Sequence, residues 1–321
     1  MISVIICTYN RSAILQGALD SVAEMQVPKE FDWELLIVDN NSTDRTREVV
    51  EQFAKRAPMR VRYVVERKQG LSHARNCGIR HARGEILAFT DDDVTLDPNW
   101  LLHIGETFDV YGCMAVGGKI IPVWPCPKPA WFSEDAPYDI SGPIVKFDLG
   151  EEICETRKEP FGANMAFRKE AFTKYGLFRV DLGRSKGVSL GGEEIELFRR
   201  LIAGQEKIVY TPKAVVFHPV FKERIQKQHF QAGFYHWGRA KARLEDTLDT
   251  LEAVRCFGVP RYLFRKLAVT FMRWVTTFEA KQRFFHKLAV WELAGRIVEN
   301  FALHRKMVRE REQKVAESRP L

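Results

Sequence analysis

Over its first 100 residues the chain alternates short, continuously apolar runs with stretches of helical periodicity, and this alternation restricts the possible folds more than any other feature. The apolar runs are 2–7, 34–38, 61–65 and 86–89. Between them lie a helical stretch over 12–25, with Ala13, Leu15, Ala18, Leu19 and Val22 at its apolar positions, and one opened by Ser42 and Thr43 as N-cap candidates and running through Phe53. A third covers 72–82, with Gly84 placed to stop it. A strand that is apolar at every position buries both faces, so helices must cover its sheet on both sides. Parallel neighbours in turn need crossover connections of helix length. The expected fold class is α/β, with a mostly parallel, Rossmann-like sheet.

This regularity stops between residues 122 and 159, where Pro122, Pro125, Pro127, Pro129, Pro137 and Pro143 exclude helix interiors and central strands. A loop of that length in a compact domain is functional or mobile. Order resumes over 161–167, then in a helix beginning near Glu193 and closed by Gly204, and in final strands over 208–210 and 214–217. From Phe221 the pattern is helical to the end. Charge divides at the same place. Residues 1–220 carry 28 Lys and Arg against 31 Asp and Glu, whereas 221–321 carry 21 against 11. Two domains are expected, 1–220 and 221–321, with different partners. A composition 45% hydrophobic and 28% charged excludes collagen-like and mostly disordered chains. The six cysteines form no short pair, and the chain opens on an apolar run without a basic leader, so a reducing, cytoplasmic setting is expected.

Ligands of open α/β sheets bind beyond the carboxyl ends of the strands. Polar residues follow three of the four runs: Thr8-Tyr9-Asn10-Arg11, Asp39-Asn40-Asn41-Ser42-Thr43-Asp44 and Thr90-Asp91-Asp92-Asp93. Asp39 and Ser42 also suit turn and cap duty. Three successive carboxylates repel one another unless a cation or hydrogen-bond donors compensate. A hard divalent ion takes one or two carboxylates together with phosphate oxygens; the alternative is an acidic helix start, since Asp97-Pro98-Asn99 opens a helix nearby.

Taken together, residues 3–11, 36–44, 70–76 (Gly-Leu-Ser-His-Ala-Arg-Asn) and 90–93 resemble the family 2 glycosyltransferases of GT-A fold, and the resemblance extends over about residues 1–220. It implies that Thr8 and Tyr9, with Asn10 and Arg11 of the same segment, line a nucleotide pocket. Asp39 would accept a hydrogen bond from the base, commonly uracil N3, and Arg75 would reach the diphosphate. Asp91 and Asp93 belong to a DxD motif in which Asp91 faces the ribose or the metal and Asp93 ligates the metal, Mn²⁺ or Mg²⁺, and Asp92 between them is counted with the nucleotide-binding residues. The second acidic residue of Gly191-Gly192-Glu193-Glu194 takes the place of the family's general base, so Glu194, one methylene longer than the usual Asp, would activate the acceptor hydroxyl. The three glutamates Glu193, Glu194 and Glu196 also fit a helix first turn without further purpose. His218, at the end of the last strand, resembles a further metal ligand in related enzymes or serves as a turn residue. His73 and His81 are assigned no chemistry. The implied reaction moves a sugar, with inversion, from a nucleotide-sugar donor, a UDP-sugar first, to a saccharide or lipid-linked acceptor. Trp124 and Trp131 would stack on a sugar ring or pack within their loop.

A nucleotidyltransferase would need a Gly-rich basic loop after the first strand, which Thr8-Tyr9-Asn10-Arg11 is not. A non-catalytic nucleotide-binding protein would not need Asp93 and Glu194. Residues 261–278 lack the ~18–20 uncharged residues that span a bilayer. On a helical wheel Phe264, Leu267, Phe271, Trp274, Val275 and Phe278 share one face, opposite Arg265, Lys266 and Arg273. This pattern suits a helix lying on an anionic membrane surface, at the inner face of the membrane, or one packed on the first domain. Cations interleaved with Phe, Leu and Trp do not make a phosphate-tracking stripe, so nucleic acid is not an expected partner.

Overall fold

The four apolar runs form the parallel half of one sheet. β1 (Ile2–Thr8), β2 (Trp33–Asp39), β3 (Arg60–Val65) and β4 (Ile86–Asp91) lie in the order β3-β2-β1-β4, linked by α1 (Ser12–Ala23), α2 (Thr46–Arg56) and α3 (Leu71–His81). The computed structural model describes residues 1–185, 188–245 and 254–317. After β4 come β5 (Thr95–Leu96), α4 (Trp100–Tyr111), β6 (Ala115–Val123), β7 (Cys154–Glu155), β8 (Asn164–Arg168) and α5 (Glu170–Tyr175). The short β9 (Arg184–Ser185) and β10 (Val188–Ser189), α6 (Glu193–Ala203) and β11 (Ile208–Pro219) follow. The sheet continues from β4 as β8-β6-β11-β5, with β8 antiparallel to both its neighbours and β6 parallel to β11.

Both faces of the sheet are covered, as the apolar runs require. Val4 and Ile6 of β1 and Leu35 and Ile37 of β2 enter a core with Leu15, Leu19, Phe53, Trp100 and Phe108; Ile5, Leu36 and Val38 enter a second core with Ile79, Phe89, Phe167 and Phe198. The alternation is the period of two of a pleated strand. Each fully buried Leu, Ile or Phe contributes about 1.5–3 kcal/mol relative to exposure.

Local details depart from the sequence expectation for identifiable reasons. Ala13 faces solvent, because the buried stripe of α1 runs through Leu15, Ala18, Leu19 and Val22. Ser42 and Thr43 do not cap α2: they are tied to Asp39 and Asn10, and Asp44 instead accepts the backbone N–H of Thr46 at 3.0 Å. Gly84 lies beyond the end of α3 and is required by close packing, since a Cβ there would sit 2.6 Å from the backbone N of Ser3. After α6 the left-handed residue is Gln205 (φ 58°), while a Cβ on Gly204 would meet the Tyr175 hydroxyl at 2.2 Å.

The two final strands expected at 208–210 and 214–217 are one strand, β11, whose register against β6 shifts between Thr211 and Val215. Asn164 supports this irregularity. Its Nδ2 donates to the carbonyls of Lys119 and Ala214, both at 2.9 Å, and its Oδ1 accepts the Trp100 indole N–H at 2.8 Å. Asn164 is fully buried, so Asn164→Ala leaves several polar groups unmet and should destabilise the chain by roughly 3 kcal/mol, read as a lower urea midpoint. An unchanged midpoint would show that the carbonyls find other partners.

The chain forms two compact units. The α/β unit comprises residues 1–126, 144–188 and 193–221; the second comprises 127–143, 189–192 and the chain from 222 onward. The proline-rich stretch is thus divided. Phe147 bridges to Ile120 and β7 pairs with β11 in the first unit, whereas Trp131 packs edge-on against Phe230 and Phe284 at 5.1 and 5.2 Å in the second. The described α-helices of the second unit are α7 (Lys227–Glu245), α8 (Arg261–Thr276) and α9 (Ala280–Glu317), with a hairpin of β12 (Arg255–Cys256) and β13 (Val259–Pro260) before α8. α7 and α9 meet backbone to backbone: a Cβ on Gly238 would lie 1.8 Å from the Glu292 carbonyl oxygen, and one on Gly295 2.0 Å from that of Tyr235. Arg239 and Arg243 of α7 both donate to the buried Glu299 of α9 at 2.7 Å.

Candidate active site at the carboxyl edge of the sheet

Strand register brings the polar segments together. Thr8 ends β1 beside Asp39 at the end of β2, and Cys7 lies beside Asp91 at the end of β4. The chain after Asp91 turns so that β5 pairs antiparallel with β11, Thr95 opposite Phe217, which brings Asp93 to His218. Asp91, Asp93 and His218 each offer one ligand atom, all within 4.8 Å of one another. His218 Nδ1 lies 3.2 Å from the carbonyl oxygen of Pro219, which can only accept, so Nδ1 donates to it and Nε2 is the ring atom turned toward Asp93, at 3.7 Å. Two carboxylates and an imidazole form a donor set that could hold a divalent metal ion.

Asp92 plays a different part from its neighbours. It accepts the Thr8 hydroxyl at 2.7 Å and Arg11 Nη1 at 2.5 Å, while Arg11 Nη2 donates to Asp93 at 2.9 Å. Burial pushes the Asp92 carboxyl up to about 6 against the opposing pull of Arg11. Thr8 and Arg11 are therefore tied to the acidic run, the charge compensation that three adjacent carboxylates demand.

Asp39 is buried and accepts the Tyr63 hydroxyl at 2.5 Å and the backbone N–H of Ser42 at 2.9 Å. Each oxygen keeps a further lone pair for a base N–H. Burial, and then the bond to Asp39, raise the pKa of the Tyr63 phenol. Asn10, at φ 51°, holds the β1 loop to the β2 loop: its Oδ1 accepts the Thr43 N–H at 2.7 Å and its own N–H donates to Ser42 Oγ at 2.9 Å. Tyr9 is half-buried beside it.

Arg75 is buried and faces carboxylates. Nη1 donates to Glu193 Oε1 at 2.6 Å and Nη2 stands 3.7 Å from Asp91 Oδ1. Gly162 walls the guanidinium so closely that a Cβ there would lie 2.1 Å from Nη2. The start of α6 is thereby connected to the DxD run. Glu193 Oε2 and Glu194 Oε2 are buried without hydrogen-bond partners among the described residues. Burial, then the neighbouring Glu193, push the Glu194 carboxyl up to about 8, with Arg75 opposing. The sequence pattern did not disclose Tyr63, Glu193 as the partner of Arg75, or Gly162; the signal in the sequence was at most a tyrosine near the end of an edge strand and a doubled glutamate.

An α/β sheet whose carboxyl edge gathers a DxD run, a histidine and a carboxylate pair at a helix start defines a class of nucleotide-dependent transferases, and the comparisons with known proteins narrow it. The profile of Glycosyl transferase family 2 matches residues 3–176, and the chain belongs to that family. It is 27% identical over 272 residues to the succinoglycan biosynthesis protein ExoM of Rhizobium meliloti, covering 78% of this chain and 84% of that protein. It is also 27% identical over 230 residues to the glucosyl-dolichyl phosphate glucuronosyltransferase of Haloferax volcanii, covering 70% and 71%. Among solved structures, the mannosyltransferase PcManGT of Pyrobaculum calidifontis, in complex with GDP-Man and Mn²⁺, superposes with a TM-score of 0.56 at 18% identity, over 100% of this chain and 76% of that one. The fold is that of the GT-A glycosyltransferases.

Proposed function

We propose that this glycosyltransferase moves a sugar from a uridine diphosphate sugar to a hydroxyl of a saccharide or lipid-linked acceptor, with inversion at the anomeric carbon. The observation that carries this function is the convergence, at one sheet edge, of the Asp91–Asp93–His218 ligand set with the Glu193–Glu194 pair, bridged by Arg75. Thr8, Tyr9, Asn10 and Arg11 shape the floor of the nucleotide pocket, and Asp39 accepts the single N–H that uracil presents. Asp91, Asp93 and His218 would hold Mn²⁺ or Mg²⁺, which supplies compensation for the negative charge that develops on the departing diphosphate. Asp92 fixes Thr8 and Arg11 around that run.

Glu194 takes the proton of the acceptor hydroxyl as the acceptor oxygen bonds to the anomeric carbon. The bond from that carbon to the diphosphate oxygen breaks, and its electron pair leaves with the nucleotide. Attack from the face opposite the leaving group inverts the centre and requires no enzyme nucleophile. Glu193, held by Arg75, orients the pair. A lipid-linked acceptor agrees with the glucosyl-dolichyl phosphate for which the Haloferax relative is named. The basic region 221–321 would hold the enzyme at an anionic membrane surface, on its cytoplasmic face.

Release of UDP from a UDP-sugar panel, with and without EDTA, tests the reaction. Loss of release in EDTA supports it, and release unaffected by EDTA removes the metal from the mechanism. Asp39→Ala should weaken UDP binding by roughly 1–3 kcal/mol, measured by calorimetry, because the base N–H loses its buried acceptor. Equal affinity of wild type and variant for UDP, GDP and dTDP would take Asp39 out of the base pocket.

A further inference from the structure

The second unit leaves a coherent apolar surface uncovered. α8 turns one narrow stripe toward α9: Leu263 and Leu267 join Val259, Leu293 and Ile297 in a small core, and Lys287 of α9 lies over the Trp274 ring at 5.7 Å. At about 100° per residue, Phe264, Ala268, Phe271, Met272 and Val275 fill the adjoining sector, and all five are exposed. Arg265, Lys266 and Arg273 fill the sector beyond. Beyond the helix, Phe278 is 97% exposed.

The hairpin before α8 adds an observation of a different kind. Its two turn residues are Phe257 at φ 48° and Gly258 at φ 79°, the pair of positive angles of a type I′ turn. Asn-Gly is the favoured pair for that geometry, and a bulky side chain in the left-handed region is strained. Packing does not require the phenylalanine, which is 74% exposed. The glycine faces α9, where a Cβ would lie 2.2 Å from that of His304. A strained, exposed aromatic on a well-held turn is better explained by an external contact than by folding. From Val254 to Phe278 the sequence holds Arg255, Arg261, Arg265, Lys266 and Arg273 and no Asp or Glu.

We infer that the hairpin tip and the outward sector of α8 dock on an anionic lipid bilayer, with Phe257, Phe271, Met272 and Phe278 entering the headgroup–acyl boundary and the arginines and Lys266 on lipid phosphates. This rests on the membrane-surface part of the proposed function and names the residues that perform it. No helix among the described residues is long and apolar enough to cross a membrane, so the contact is interfacial. A second copy of the chain suits the surface less well, because a symmetric contact would set this acid-free segment against itself.

The test is co-sedimentation of the full chain with phosphatidylcholine vesicles with and without phosphatidylserine, with UDP binding measured in parallel. Phe257→Asn should melt at or above the wild-type temperature, since Asn-Gly suits the turn, yet partition onto anionic vesicles about tenfold less. Phe278→Ser should add a similar loss. The double variant Arg265→Glu, Lys266→Glu should lose binding to anionic vesicles while leaving that to neutral ones unchanged, and salt should weaken the wild-type association without abolishing it. Wild-type partition of Phe257→Asn, alone or with Phe278→Ser, would overturn the inference, as would a wild-type chain that sediments with neither vesicle. A dimer in sedimentation velocity that the same substitutions dissociate would assign the surface to self-association. Vesicle binding without UDP binding would defeat the proposed catalytic function and leave this surface standing; UDP binding without vesicle binding would do the reverse.

Discussion

Replacing Glu194 with glutamine is expected to leave nucleotide binding intact and to slow sugar transfer by about 10²–10⁴-fold, the range for loss of a general base. The amide keeps the shape of the side chain and cannot take the acceptor proton. A pH profile separates this from mere disturbance of the helix start. The carboxyl is raised to about 8, so the fraction available as base falls about tenfold for each pH unit below that value. The wild-type rate should therefore climb through neutrality and level above pH 8, and the residual rate of the glutamine variant should lack that limb. Glu196→Gln, which weakens the pair with Arg200 one helical turn further along α6, should be milder. A Glu194→Gln enzyme with wild-type turnover would return the pair to stabilising the first turn of α6.

Asp93→Asn should abolish most turnover and weaken Mn²⁺ binding, measured by calorimetry on the folded variant. The substitution removes one carboxylate from the candidate ligand set with Asp91 and His218, and also the second carboxylate that receives Arg11. Arg11 keeps Asp92, so the fold should survive, with circular dichroism unchanged. Full activity of this variant in EDTA would make the acidic run a purely structural feature.

What could be read from the sequence depended on how local its cause was. Continuous apolar runs announce a sheet buried on both faces, and the position of Asp39 and Asp91–Asp93 directly after such runs places them on its carboxyl edge. His218 could be placed because it follows the last apolar run. The pairing that brings it to Asp93 could not, since it depends on the two-residue strand β5 crossing to β11. Tyr63 reaches Asp39 across 24 residues of sequence and Arg75 reaches Glu193 across 118, and no periodicity encodes either meeting. The split of the proline-rich stretch escaped for the same reason: Trp131 looks like any loop aromatic until Phe230 and Phe284 surround it. Gly84 and Gly204 show the opposite error, in which a local rule for ending helices was satisfied by position while the cause lay in distant packing.

Arg75 joins the two ends of the candidate site. One buried cation lies between Asp91 and Glu193, which the proposed function places on the donor side and beside the general base. Whatever charge gathers around Asp91 competes for the same guanidinium that steadies the Glu193–Glu194 pair. Under the proposed function, donor occupancy and the proton affinity of Glu194 would be linked functions, and by reciprocity each would perturb the other by the same free energy. A binding isotherm for the donor should then carry a proton stoichiometry that varies with pH, the mark of a site that behaves as one thermodynamic unit.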